Sequence, residues 1–196
     1  MNVYDFRKRE NAVDEIFINR WSPRAMSAEA LDEATLRTLL EAARWAPSSN
    51  NNQPWRFIYA RRDTPHWERF FNLLDEGNQN WAINAAVLMV VVSKATFDSG
   101  KPSRTHSFDT GAAWLSLALQ GSMKGLVVHG MQGFSYERAQ KELQVPDGYT
   151  VEAMIAIGKP GRKEVLPEYQ QKREFPSSRK TIPEIAMEGF FRESSL

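Results

Sequence analysis

Helical and strand periodicities interspersed along 196 residues predict a single domain of α+β class, a sheet packed with helices. Three observations carry that prediction. An amphipathic helix pattern runs into a loop fenced by Pro47 and Pro54, with a strand pattern directly after it. A dense Val, Leu and Met run reads as a strand buried on both faces. A long, almost uncharged helix pattern is closed by Gly125.

In chain order, residues 5–19 are expected to be helical, with Val13, Ile16 and Phe17 on one side. Asp32 caps a clearer helix in which Leu36, Leu39, Leu40 and Ala43 fall at helical spacing until Pro47 stops it. Residues 55–60 read as a strand. Thr64-Pro65 opens a helix carrying Trp67, Phe70, Phe71 and Leu74, since proline in the first turn gives up no bonded N–H. Residues 86–93 are the doubly buried strand. Asp109 precedes the long apolar helix at 111–124, whose scarcity of charge suits a molecular centre or a subunit interface. Residues 126–129 form a short strand, Ser135 caps a short helix, Pro146-Asp147-Gly148 turns the chain, and residues 151–157 are the last strand. Beyond Gly158 the sequence is polar and proline-spaced, with little core pattern until residues 182–191. No repeat or linker divides the chain, so residues 1–196 are taken as one domain.

Composition narrows the chemistry. The 42% of hydrophobic residues can build a core without staples. Cysteine is absent, which excludes disulfides, thiolate metal sites and a cysteine nucleophile, and suits a cytoplasmic setting. Twenty-five basic against 24 acidic residues leave a net charge of +1, too little for a nucleic-acid binder driven by bulk charge. No signal peptide is expected, and the apolar run at 85–92 is too short to cross a bilayer, so no membrane partner is expected either. His66, His106 and His129 lack metal-ligand spacing, and neither a Walker loop, a GxGxxG fingerprint nor a GxSxG elbow occurs.

Three stretches can carry chemistry. Ala46-Pro47-Ser48-Ser49-Asn50-Asn51-Asn52-Gln53-Pro54-Trp55 is a rigid polar loop whose donors and acceptors could read a heteroaromatic edge, or simply an ordinary helix-to-strand connection. In Asn19-Arg20-Trp21-Ser22-Pro23-Arg24 two arginines flank a serine, an arrangement suited to grasping a phosphate and equally found on solvated surfaces. The helix from Asp109 leads to Gly125-Leu126 and then Gly130-Met131-Gln132-Gly133-Phe134, where glycine could let the backbone approach a planar ring.

Together these stretches resemble the nitroreductase family. The loop resembles its APSxxNxQPW signature, and residues 20–24 resemble its Arg-Arg-Ser-x-Arg element, with Trp21 in place of the usual second residue. The resemblance covers almost the whole chain, most closely over 19–60 and 109–160. It implies a nitroreductase-like central mixed sheet flanked by helices in a domain-entwined homodimer, with FMN as cofactor. On that basis Arg20, Trp21, Ser22 and Arg24 are expected around the FMN phosphate, completed by Lys159 or Arg179. Pro47, Ser48, Ser49, Asn51 and Gln53 are expected from the other subunit, and Met131, Gln132 and Gly133 along the flavin. The implied reaction is a ping-pong, two-electron reduction of nitro compounds, quinones or similar acceptors by NAD(P)H, with no catalytic side chain because the flavin carries the chemistry. The alternatives are a flavin reductase, a reductive dehalogenase, and a non-catalytic flavin sensor or carrier.

Overall fold

The structure, a computed structural model, describes residues 2–192, so Met1 and residues 193–196 of the expected domain lie outside the described residues. The first helix is α1 (Glu15–Asn19), capped by Asp14. The helix expected over residues 5–19 is therefore mostly absent. Only a 3-10 turn at Val3–Asp5 precedes α1, and the intervening segment, rich in exposed charge, has no apolar face to bury. α2 (Glu33–Arg44) follows the reading closely, with Asp32 accepting the Thr35 N–H at 2.6 Å and Leu36, Leu39 and Ala43 buried. β1 (Trp55–Arg61) emerges from the proline-fenced loop. The helix opened by Pro65 is only α3 (Trp67–Phe71). An unforeseen α4 (Glu76–Ala82) follows it and buries Trp81.

β2 (Val87–Lys94) is buried almost throughout. α5 (His106–Met123) starts five residues earlier than expected and takes Asp109 inside its first turn. Gly125 ends it at a φ of 69°, the left-handed cap anticipated. β3 (Val127–Met131), α6 (Tyr136–Glu142) and β4 (Tyr149–Gly158) complete the sheet and its cover. Two short helices, α7 (Glu168–Gln171) and α8 (Ile182–Ile185), punctuate a C-terminal strap.

The strand order is β1-β2-β4-β3. The α+β class holds, but among the described residues the pairing is antiparallel throughout where a mixed sheet was expected. Each spatial neighbour re-enters the sheet from the opposite end. Only a connection returning to the same end would make a parallel pair.

Alternation along β2 sends Leu88, Val90 and Val92 to one face and Val87, Met89 and Val91 to the other. The first set packs with α3, α4 and α6, the second with α2 and α5. By the same alternation β3 turns His129 toward Trp81 of α4. This placement of β3, an edge strand, positions the site.

Candidate functional site

Where the sheet ends at β3, a cavity of about 400 Å³ opens beneath the segment that precedes Ala25. Five guanidinium groups line it: Arg7, Arg20, Arg24, Arg173 and Arg179, with Trp21, Ser22 and His129 between them. Arg20 donates to Ser22 Oγ at 3.3 Å. Arg179 is held by Ser177 and Ser178, donating to their carbonyls and to Ser177 Oγ at 2.9–3.2 Å. Among the described residues, the one carboxylate within ion-pair reach of these arginines is Glu174, 3.9 Å from Arg24. Burial and then the charge of Arg179 hold the Arg20 pKa below its ordinary value. Arg7 is lowered by burial, Arg179 and Arg20. So much positive charge in partly desolvated space calls for an anion with several acceptor oxygens.

The backbone of residues 20–25 is clamped from three sides. Arg7 donates to the carbonyls of Ile18 at 2.6 Å and Arg20 at 2.8 Å, and its Nε donates to Ser177 O at 3.0 Å. Glu174, buried in the strap, accepts the N–H groups of Arg24 and Ala25 at 2.7 and 2.8 Å. His129 Nδ1 lies 2.8 Å from Pro23 O, and because a carbonyl only accepts, Nδ1 carries the proton. Burial, helped by Arg24 and Arg20, outweighs backbone bonds to Pro23 and Ser22 and pulls the His129 pKa down to about 4, so the ring is neutral.

A second cavity of about 200 Å³ shares Arg24 and Arg173 with the first and continues to Asn78, Trp81 and Gln170. Asn78 Nδ2 donates to Gly133 O at 2.9 Å, and Trp81 Nε1 donates to Asn78 Oδ1 at 3.2 Å. A Cβ on Gly133 would come 2.7 Å from Asn78 Nδ2, so glycine here permits the close packing of α4. Gln170 Oε1 is buried without a partner among the described residues, an acceptor free for a ligand N–H or O–H.

The structure therefore brings Arg20, Trp21, Ser22, Arg24 and Arg179 together. Gly133 reaches the second cavity only through its bond to Asn78; Met131 is buried in the core and Gln132 is exposed. Lys159 stands elsewhere, its ammonium 2.6 Å from Glu29 on the surface. Sequence reading missed Arg7, Arg173, Asn78, His129, Gln170 and Glu174. Arg7 lies in a charged stretch without local pattern, and Arg173 and Glu174 lie in the strap. The paired opposite charges of Arg173-Glu174, flanked by Phe175, were the available hint that the strap packs.

The proline-fenced loop lies at the opposite corner of the sheet. Ser48 Oγ accepts the Gln53 N–H at 3.0 Å, and buried Asp109 accepts the Ser49 N–H at 3.1 Å. Asn50, Asn51 and Gln53 all adopt positive φ, between 47° and 54°, so the loop stores strain in an exposed polar tip. Trp55 pairs with Ser93 at one end of edge strand β1, whereas His129 on the far edge is level, through Ala156 and Leu88, with Ala60. Three strand spacings and five residues of rise separate loop and arginine cavity by on the order of 20 Å. Pro47, Ser48, Ser49, Asn51 and Gln53 thus stand away from the arginines within one chain.

Comparisons with known proteins agree with these features. The family model described as the nitroreductase family matches residues 18–74, which include the clamped arginine segment and the loop. The structure of an oxidoreductase containing FMN superimposes with a TM-score of 0.92 at 47% identity, over 96% of this chain and 97% of that one. A candidate nitroreductase in complex with FMN from Desulfovibrio desulfuricans shares the fold, with a TM-score of 0.73 at 24% identity over 94% of this chain and all of that one, 100%. A candidate NADH dehydrogenase/NAD(P)H nitroreductase of Streptomyces coelicolor is 39% identical over 72 residues, 37% of this chain. That match spans about a third of the relative's own length, 35%. Arginine segment, loop and fold lead to the same place: the chain belongs to the nitroreductase family.

Proposed function

We propose that the protein is an FMN-dependent oxidoreductase that uses NAD(P)H to reduce nitro compounds, quinones or similar small acceptors. The observation that carries this reading is the arginine cavity, where among the described residues Glu174 is the one carboxylate within ion-pair reach of five guanidiniums. Five guanidiniums match a dianionic phosphate monoester, and the adjoining cavity with Asn78 and the unpartnered Gln170 acceptor matches the polar edges of a heteroaromatic ligand. No dinucleotide fingerprint in the sequence calls for an adenosine half.

Arg20, Ser22, Arg24 and Arg179 hold the phosphate, with Trp21 walling its pocket. Met131, Gln132 and Gly133 border the ring, and Lys159 plays no direct part. Pro47, Ser48, Ser49, Asn51 and Gln53 come to the ring from a second copy of the chain, because their own cavity lies across the sheet. Residues 1–196 form one FMN-binding domain in a homodimer with two sites, working in the cytoplasm. Held there by these residues, FMN would supply the two-electron chemistry between nicotinamide and acceptor. The protein's work is to bind, orient and exclude water, and one site visited in turn by donor and acceptor gives ping-pong kinetics.

Anaerobic mixing of the FMN-loaded protein with NADH or NADPH tests the reading. Rapid bleaching of the flavin, reversed by a nitroarene or quinone, is the expected result. A flavin that binds but never bleaches makes the protein a carrier or sensor instead.

A further inference from the structure

His129 is the one uncharged titratable group in the wall of a cavity otherwise built of arginines. Its ring is fixed on two sides: Nδ1 donates to Pro23 O at 2.8 Å, and its face meets Trp81 with centroids 4.5 Å apart. With Nδ1 holding the proton, Nε2 carries the lone pair, on a ring that lines the arginine cavity and lies against the backbone of Ser22 as well as Pro23. The charged groups around the ring are Arg20 and Arg24 on the clamped segment, Arg7 from the N-terminal segment, and Arg173, Glu174 and Arg179 from the strap. Trp81, on α4, carries no charge.

We propose that His129 is a proton-coupled ligand-binding residue: it takes up a proton when a phosphate dianion enters the arginine cavity, and gives it up when the phosphate leaves. The proposal rests on the reading that this cavity holds the FMN phosphate. The physical cause is a reversal of field. In the ligand-free cavity a sixth positive charge beside the arginines is opposed, and the ring is held neutral with a pKa near 4. A dianion offsets two of the guanidinium charges and adds acceptor oxygens, so the same ring becomes more stable as imidazolium, donating from Nε2. The Pro23 bond survives both states, because Nδ1–H is the donor in each. The consequence is regulation by pH of cofactor retention: FMN binds more tightly as pH falls toward 6, and riboflavin, which lacks the phosphate, does not.

Isothermal titration of the flavin-stripped protein at pH 6.5, in two buffers of different ionisation heat, counts the protons. His129→Gln keeps a donor for Pro23 O and removes the titration. The phosphate's own proton loss, with a second pKa near 6, is common to both proteins and cancels. Wild type should take up at least about half a proton more per FMN than the variant, and the two should match for riboflavin. NMR of the wild-type imidazoles gives a second reading independent of the variant's folding. Inorganic phosphate or FMN should raise the His129 midpoint from about 4 to about 6.5 or above. FMN bound tightly with equal proton counts and an unmoved midpoint overturns the role of His129 alone. Failure of wild type to bind FMN overturns the cofactor reading beneath it.

Discussion

Arg20 shows what a single side chain contributes to the cavity. Its guanidinium is partly desolvated, repelled by Arg179, and within reach of Ser22 Oγ. Charge-assisted bonds of this kind are worth about 2–3 kcal/mol, so Arg20→Ala should weaken FMN roughly 30- to 150-fold. Riboflavin affinity should barely change. Fluorescence titrations with both flavins decide the point: equal losses for the two would make Arg20 a fold residue, and no loss for FMN would remove it from the site. His129 bears on stability as well as binding. Its pKa is about 4 in the ligand-free fold against an ordinary 6.5, so the unfolded chain binds the extra proton between those values. Its contribution is therefore present above pH 6.5 and is lost as pH falls toward 4, by up to about 3 kcal/mol. Urea unfolding of flavin-free wild type and His129→Gln across pH 4.5–7 should show the steeper dependence in wild type. Parallel curves would mean that the ring is solvated.

At the scale of elements, Asp109 ties the longest helix to the strained loop. It is buried in the first turn of α5 and accepts from Ser49 N–H at 3.1 Å and Thr105 Oγ1 at 3.2 Å. Asp109→Ala leaves the Ser49 donor without its acceptor and removes a carboxylate from a helix N-terminus, for a loss of about 1–3 kcal/mol. Turnover should fall further than the melting curve alone explains, since the loop then relaxes from its positive-φ conformation. A variant with wild-type stability and kinetics would sever the loop from α5. Elements with strong periodicity were legible from sequence: α2, β2 and the Gly125 stop. The N-terminal segment and the strap were not, because their order comes from long-range bonds such as Arg7 to Ser177 and Glu174 to Arg24, which leave no local period. For the same reason the arginine segment was legible as a motif, while half of its cavity was not.

For the whole molecule, the exposed area of 12142 Å² is roughly a quarter above the ~9,400 Å² expected of a compact monomer of 22.4 kDa. Large apolar side chains are among the groups left exposed. Phe108, Leu115 and Met123 lie on one face of α5 and are 80%, 40% and 64% exposed, and Ile185, Phe190 and Phe191 stand out from the strap. Such a surface suits an obligate interface. Sedimentation should find a homodimer, and Leu115→Arg should weaken it together with FMN binding. A monomer that binds FMN tightly would contradict the two-chain site. The sequence reading of α5 as a helix of the molecular centre or of a subunit interface came from its lack of charge, but the separation of loop and arginines across the sheet was visible only once strand order and register were known.

The claim at the centre of this account, that the arginine cavity holds FMN, is tested most directly by the visible absorption spectrum of the protein incubated with FMN and freed of excess. An oxidised-flavin spectrum near one FMN per chain, with FMN and not FAD released on heating, is the predicted result. A protein that remains colourless would contradict it.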